Sequence, residues 1–148
     1  MIKIYTDGSC SLQTKKGGWA VIILEYDGEN YIKKKGAIKN CTNQIAEMYA
    51  MLNALFVASV YELTQKNKIE IYSDSAYVVN CINYKWYEKW QNNGWLTSNG
   101  FAVKNKELWV RIIAEYSLLV CTKVIKIKRN TDKWSAMADQ IAKSFLEK

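Results

Sequence analysis

Apolar positions in this chain fall into short strand-like runs before residue 42, and after it into helical stripes interrupted by two further strand-like runs. Ile2 to Tyr5 alternates and ends at Thr6-Asp7-Gly8-Ser9, which predicts a strand closing into a turn. Gly17-Gly18 opens a second run, Trp19 to Tyr26; Asp27-Gly28-Glu29-Asn30 has the composition of a hairpin turn, and Tyr31 to Ile38 follows as a third strand. Thr42 or Asn43 can cap a helix expected to reach about Val60. Ile45, Met48, Leu52, Leu55 and Phe56 mark its stripe, but Ala46, Ala50, Met51, Ala54, Val57 and Ala58 make the remainder apolar too, so this helix should be buried on most sides. Lys68 to Ser73 reads as a fourth strand, and Ser73-Asp74-Ser75 as the cap of a helix through about Asn83. Tyr84 to Phe101 is aromatic, polar and irregular; Lys104 to Tyr116 is amphipathic; Val120 to Lys128 alternates as a fifth strand; Trp134 to Leu146 is a closing helix. With no proline, repeat or linker, 1–148 is expected to form one α/β domain: a five-stranded mixed sheet, three antiparallel strands joined to parallel βα units, flanked by helices on both faces.

Composition narrows the chemistry. The net charge of +7 comes almost entirely from lysine, with Arg111 and Arg129 the only arginines, which suits a polyanionic partner met through point charges on its phosphates. Cys10, Cys41, Cys81 and Cys121 form no CxxC pair, and there is no histidine. A structural zinc site is not expected, histidine-based triads and histidine-ligated metals are excluded, and the four thiols are expected to be free and packed. Any resident metal must be hard and oxygen-bound, Mg²⁺ or Mn²⁺ in type. No apolar stretch has the length of a membrane span, and the N-terminus lacks a signal-peptide plan, so the expectation is a cytoplasmic, monomeric, free-standing protein with no membrane or protein partner.

Four carboxylates lie on four separate elements: Asp7, Glu47, Asp74 and Asp139. Each has a plain alternative role. Asp7 before Gly8 suits a turn, Asp74 a helix cap, and Asp139 a solvated helix surface. Glu47 has no Lys or Arg within a helical turn, so its partner is either a metal shared with Asp7 and Asp74 or a lysine from a distant segment. If strands one and four are adjacent and parallel, Asp7 and Asp74 meet at one carboxyl end of the sheet, where α/β folds place ligands. Two hard cations about 4 Å apart in such a cluster would act on a phosphodiester.

The segments Tyr5-Thr6-Asp7-Gly8-Ser9, Thr42-Asn43-Gln44-Ile45-Ala46-Glu47, Tyr72-Ser73-Asp74-Ser75-Ala76-Tyr77-Val78 and Ala138-Asp139-Gln140-Ile141-Ala142 resemble, in order and spacing, the four signature segments of type 1 ribonuclease H. Trp86, Trp90, Gly94-Trp95-Leu96-Thr97 and Val103 to Trp109 are similar to the handle of bacterial members, here 84–103. The resemblance implies a ribonuclease H-like fold and endonucleolytic cleavage of the RNA strand of an RNA–DNA hybrid, leaving 5′-phosphate and 3′-hydroxyl ends. It implies two Mg²⁺ ions, replaceable by Mn²⁺, on Asp7, Glu47, Asp74 and Asp139, with Asp7 bridging. It also implies substrate contacts by Gly8, Ser9, Cys10, Thr42, Asn43, Gln44, Ser75, Lys85, Trp86 and Lys89, including contacts to the 2′-hydroxyls that distinguish RNA from DNA. Three features depart from the pattern. Arg129-Asn130-Thr131-Asp132-Lys133-Trp134 lacks the loop histidine of many relatives, the handle is thinner in basic residues, and Ala76 stands where some relatives have a polar residue. Two rival readings follow: a non-catalytic hybrid- or RNA-binding module of this fold, and a DNA-cutting nuclease such as a junction resolvase. Of the basic residues, Lys33-Lys34-Lys35 read as edge-strand protection, and Lys123, Lys126, Lys128 and Arg129 as phosphate-facing.

Overall fold

A computed structural model describes residues 1–25, 30–65, 68–129 and 132–146. The expected hairpin turn at Asp27-Gly28-Glu29 lies outside them. Five strands, β1 (Ile2–Cys10), β2 (Lys16–Leu24), β3 (Tyr31–Lys39), β4 (Ile69–Ser73) and β5 (Thr122–Lys126), form one sheet in the order β3-β2-β1-β4-β5. β1 is central. It pairs antiparallel with β2 and parallel with β4, and β5 extends the parallel side.

Side chains alternate across the sheet and so build two cores. Ile2 and Ile4 of β1, Val21 and Ile23 of β2, and Ile69 and Ile71 of β4 face the helices α1 (Asn43–Gln65), α2 (Ala76–Asn83) and α4 (Lys106–Ser117). Tyr5, Ala20, Ile22 and Leu24 face α5 (Lys133–Lys143), which contributes Ala138 and Ala142. α1 is buried along most of its length, as its all-round apolar character requires, and continues past Val60 until Phe56, Val60 and Leu63 are exposed.

Two local expectations are corrected. Asp7 does not close β1: the strand continues to Cys10 because β2 keeps pairing with it, Asp7 opposite Ala20 and Gly8 opposite Trp19. The segment 84–101 is not wholly irregular, since α3 (Trp86–Asn92) forms within it. The aromatics there serve mainly as packing. Trp109 is fully buried, Trp90 sits 5.9 Å from it and 6.1 Å from Trp95, and Lys106 lies over the Trp95 ring. Lys33, Lys34 and Lys35 are exposed on β3, the outer strand of the sheet, a placement that discourages edge-to-edge pairing.

Candidate active site

Strand register delivers two of the acids. Parallel pairing between β1 and β4 ends at Tyr5 opposite Tyr72, so Asp7 projects beyond that pairing while β2 still supports it from the other side. β4 ends at Ser73, and Asp74 is the next residue. Glu47 arrives from the first turns of α1, and the approach depends on Gly8. A Cβ built there would stand 2.2 Å from the carbonyl carbon and oxygen of Ala46 and 2.5 Å from the Glu47 nitrogen. With no side chain in the way, the Gly8 N–H donates to Glu47 Oε1 at 2.5 Å and to Asp7 Oδ1 at 3.0 Å. Asp7, Glu47 and Asp74 each place an oxygen within 4.8 Å of the others.

Such crowding has an electrostatic cost. Burial pushes the Asp7 carboxyl up to about 7; a hydrogen bond with Glu47 opposes the rise, and the charges of Asp74 and Asp139 add to it. Glu47 is raised well above the usual carboxylate range, first by burial and then by Asp7 and Asp74. The distant lysine considered as a partner for Glu47 is not what meets it; its neighbours are the Gly8 amide and two further acids. Three oxygen donors from three separate parts of the chain, two of them buried and penalised when ionised, form a set suited to a hard divalent cation.

Asp139 stands beside this trio. Its helix begins at a capping box in which Asp132 accepts from the Ser135 N–H and the Ser135 hydroxyl accepts from the Asp132 N–H. The carboxylate is buried and its charge helps raise the Asp7 carboxyl, but both its oxygens hold cations: Arg129 Nη2 at 3.2 Å on Oδ1 and Lys143 Nζ at 3.1 Å on Oδ2. Burial alone would raise its pKa; the bond from Asp7 and the two cations outweigh that and hold it below the usual value.

These groups open on a cavity of about 570 Å³, lined by Asp7, Glu47 and Asp74, by Gly8, Ser9, Cys10 and Asn43, and by Lys126, Lys128 and Arg129. Asn43 Oδ1 accepts from the Cys10 N–H at 2.8 Å, joining the start of α1 to the end of β1. The other sequence candidates lie elsewhere or are otherwise engaged. Thr42 caps α1 by accepting from the Ile45 N–H, and Ser75 caps α2 by accepting from the Val78 N–H. Gln44 is half-buried but does not line the cavity. Lys85, Trp86 and Lys89 sit at α3, outside it, with Trp86 tilted against Tyr77. Lys123 lines a different cavity, with Met1 and Cys121.

The expectation of four free thiols is overturned. Cys10 and Cys41 form a disulfide, leaving a buried Cys81 and an exposed Cys121. The bond is possible because the Cys41 N–H donates to the Lys15 carbonyl, which docks the β3–α1 link on the β1–β2 turn and brings the Cα atoms to 6.1 Å. A separation of 31 residues carries no motif that would announce it. Lys143 was also missed, though its spacing four residues after Asp139 is the signal for a helical ion pair.

A family model described as RNase H matches residues 1–147. The chain is 40% identical to a Ribonuclease H of Caldicellulosiruptor saccharolyticus, covering 99% of this chain and 96% of that one. It is 36% identical to a Ribonuclease H of Acetivibrio thermocellus, covering 99% and 95%. Among solved structures, LC11-RNase H1 in complex with an RNA/DNA hybrid superposes with a TM-score of 0.73 at 20% identity, covering 99% and 97%. RNase H1 of the halophilic archaeon Halobacterium salinarum gives 0.70 at 19%, covering 97% and 95%. At those identities the superpositions establish the shared fold.

Proposed function

This chain belongs to the ribonuclease H family, and from that membership together with the clustered acids we infer that it is an endonuclease hydrolysing the RNA strand of RNA–DNA hybrids. The observation that carries the mechanism is the Asp7–Glu47–Asp74 trio, with Asp139 adjoining Asp7. These residues would hold two Mg²⁺ ions, with Mn²⁺ able to replace them. Bound there, the ions would supply Lewis-acid charge to activate water and to stabilise the departing 3′-oxygen, giving 5′-phosphate and 3′-hydroxyl ends.

The chain's own residues do the rest. The Gly8 N–H orients Glu47 and Asp7 together. Gly8, Ser9, Cys10 and Asn43 line the cavity and face the sugar edge of the RNA strand, where the 2′-hydroxyl is the recognised group. Lys126, Lys128 and Arg129 neutralise backbone phosphate at the other wall, and Arg129 supplies a charge in the segment that lacks a histidine. The 84–103 segment, with Lys85 and Lys89 exposed, tracks the DNA strand as a handle.

End-labelled hybrid, RNA duplex, DNA duplex and branched DNA, each with Mg²⁺ and with chelator, test this reading. Metal-dependent cutting of the hybrid's RNA alone, abolished in Asp7→Asn, is expected. Binding of hybrid without cutting would assign the chain to a non-catalytic role, and preference for branched DNA would assign it to a resolvase.

A further inference from the structure

The four acids are not equivalent. Asp7, Glu47 and Asp74 crowd one another, whereas Asp139 has a cation on each oxygen. The two cations reach it by different routes. Lys143 is one helical turn further along α5, so the helix itself fixes its approach to Oδ2 at 3.1 Å. Arg129 comes from the segment after β5, lines the same cavity as Asp7 and Asp74, and is largely exposed there, where a phosphate of the substrate would meet it. An exposed helical pair alone would mean little. Here the shared carboxylate is buried, and the Arg129 that holds it lines the cavity of the candidate metal ligands.

We propose that Arg129 and Lys143 are positioning residues that clamp Asp139 by both oxygens and reserve it from divalent cations until substrate phosphate competes for Arg129. The proposal rests on the hybrid-cleaving reading. In the free protein a divalent cation then has Asp7, Glu47 and Asp74 to itself, and the fourth carboxylate joins as the hybrid docks. Metal recruitment and substrate binding are thereby coupled through one guanidinium that has two alternative anionic partners.

Calorimetric titration of Mg²⁺ into the free protein, with no nucleic acid present, tests the clamp. Arg129→Gln is expected to tighten divalent binding roughly tenfold, the scale on which groups that hold metal ligands act. Arg129→Lys should restore the wild-type value, and adding Asp139→Asn to Arg129→Gln should remove the gain. Lys143→Gln, at an exposed helical position, gives the same reading by releasing the other oxygen. In steady-state cleavage, Arg129→Gln should raise KM for the hybrid several-fold. Unchanged or weaker Mg²⁺ binding in both single variants, or a gain that survives Asp139→Asn, overturns the clamp. An unaltered KM in Arg129→Gln overturns the exchange with phosphate. Failure of the wild type to cut hybrid would instead overturn the functional reading, so the two failures are separable.

Discussion

Replacing Asp7 by Asn should stabilise the metal-free protein above neutral pH while destroying its activity. Asp7 is 6% exposed and its carboxyl is pushed from 3.8 to about 7, chiefly by burial. A group whose folded pKa lies above its unfolded value stabilises the fold relative to its ionised state only while protonated; that contribution is complete below about 4 and is lost as pH rises through about 7. A rise of that size corresponds to roughly 4 kcal/mol. That is a ceiling, because Glu47 shares the coupling. A net gain of about 2 kcal/mol at pH 8 would raise Tm by ~4–8 °C in a chain of this size. Thermal unfolding in chelator at pH 8 and pH 4, for wild type and Asp7→Asn, isolates the effect of ionisation as the difference between the two pH values. Adding Mg²⁺ at pH 8 should stabilise the wild type and narrow the gap. A gain of equal size at both pH values, or none at pH 8, would refute the claim that unneutralised charge at Asp7 strains the fold.

Gly8→Ala should cost ~1–3 kcal/mol in denaturant unfolding and depress cleavage as well, because its methyl group meets the Ala46 carbonyl and displaces α1 with Glu47. The Cys10–Cys41 bond should contribute roughly 3–4 kcal/mol, read as a fall in the urea midpoint when dithiothreitol is added and absent in Cys41→Ser. Hybrid affinity should fall steeply and linearly in log–log form as salt is raised, by about 0.7–0.9 log units per decade of salt for each phosphate contact; a flat dependence would contradict lysine contacts to the backbone.

How much of this could be read in advance follows from how local each signal is. β1, β4 and α1 carry their patterns within a few residues: alternating Ile2 and Ile4, the Ile69–Ser73 run, and a helix apolar on nearly every side. The parallel β1–β4 pairing that brings Asp7 to Asp74 was therefore accessible once the element order was known. The length of β1 was not, because Thr6-Asp7-Gly8-Ser9 has turn composition and only β2, paired through Cys10 opposite Gly17, holds it extended. Tertiary pairing overrode the local preference. Ser75 illustrates the reverse: Ser73-Asp74-Ser75 reads as a helix cap from local composition alone, and the Ser75 hydroxyl accepts from the Val78 N–H. The disulfide could not be read because its partners meet only after the β1–β2 turn and the β3–α1 link dock through Cys41 and Lys15. Arg129 was visible as a basic residue, but its hold on Asp139 depends on where the segment after β5 lies against α5.

The central claim is that Asp7, Glu47 and Asp74 form one divalent-cation site, and carbon-detected NMR of their side-chain carboxyl groups during a Mg²⁺ titration tests it most directly. All three resonances should move together with a single dissociation constant, and the apparent pKa of Asp7 should fall from about 7 as the metal binds. Carboxyl signals that stay unchanged through the titration, or that respond one at a time with unrelated affinities, would contradict it.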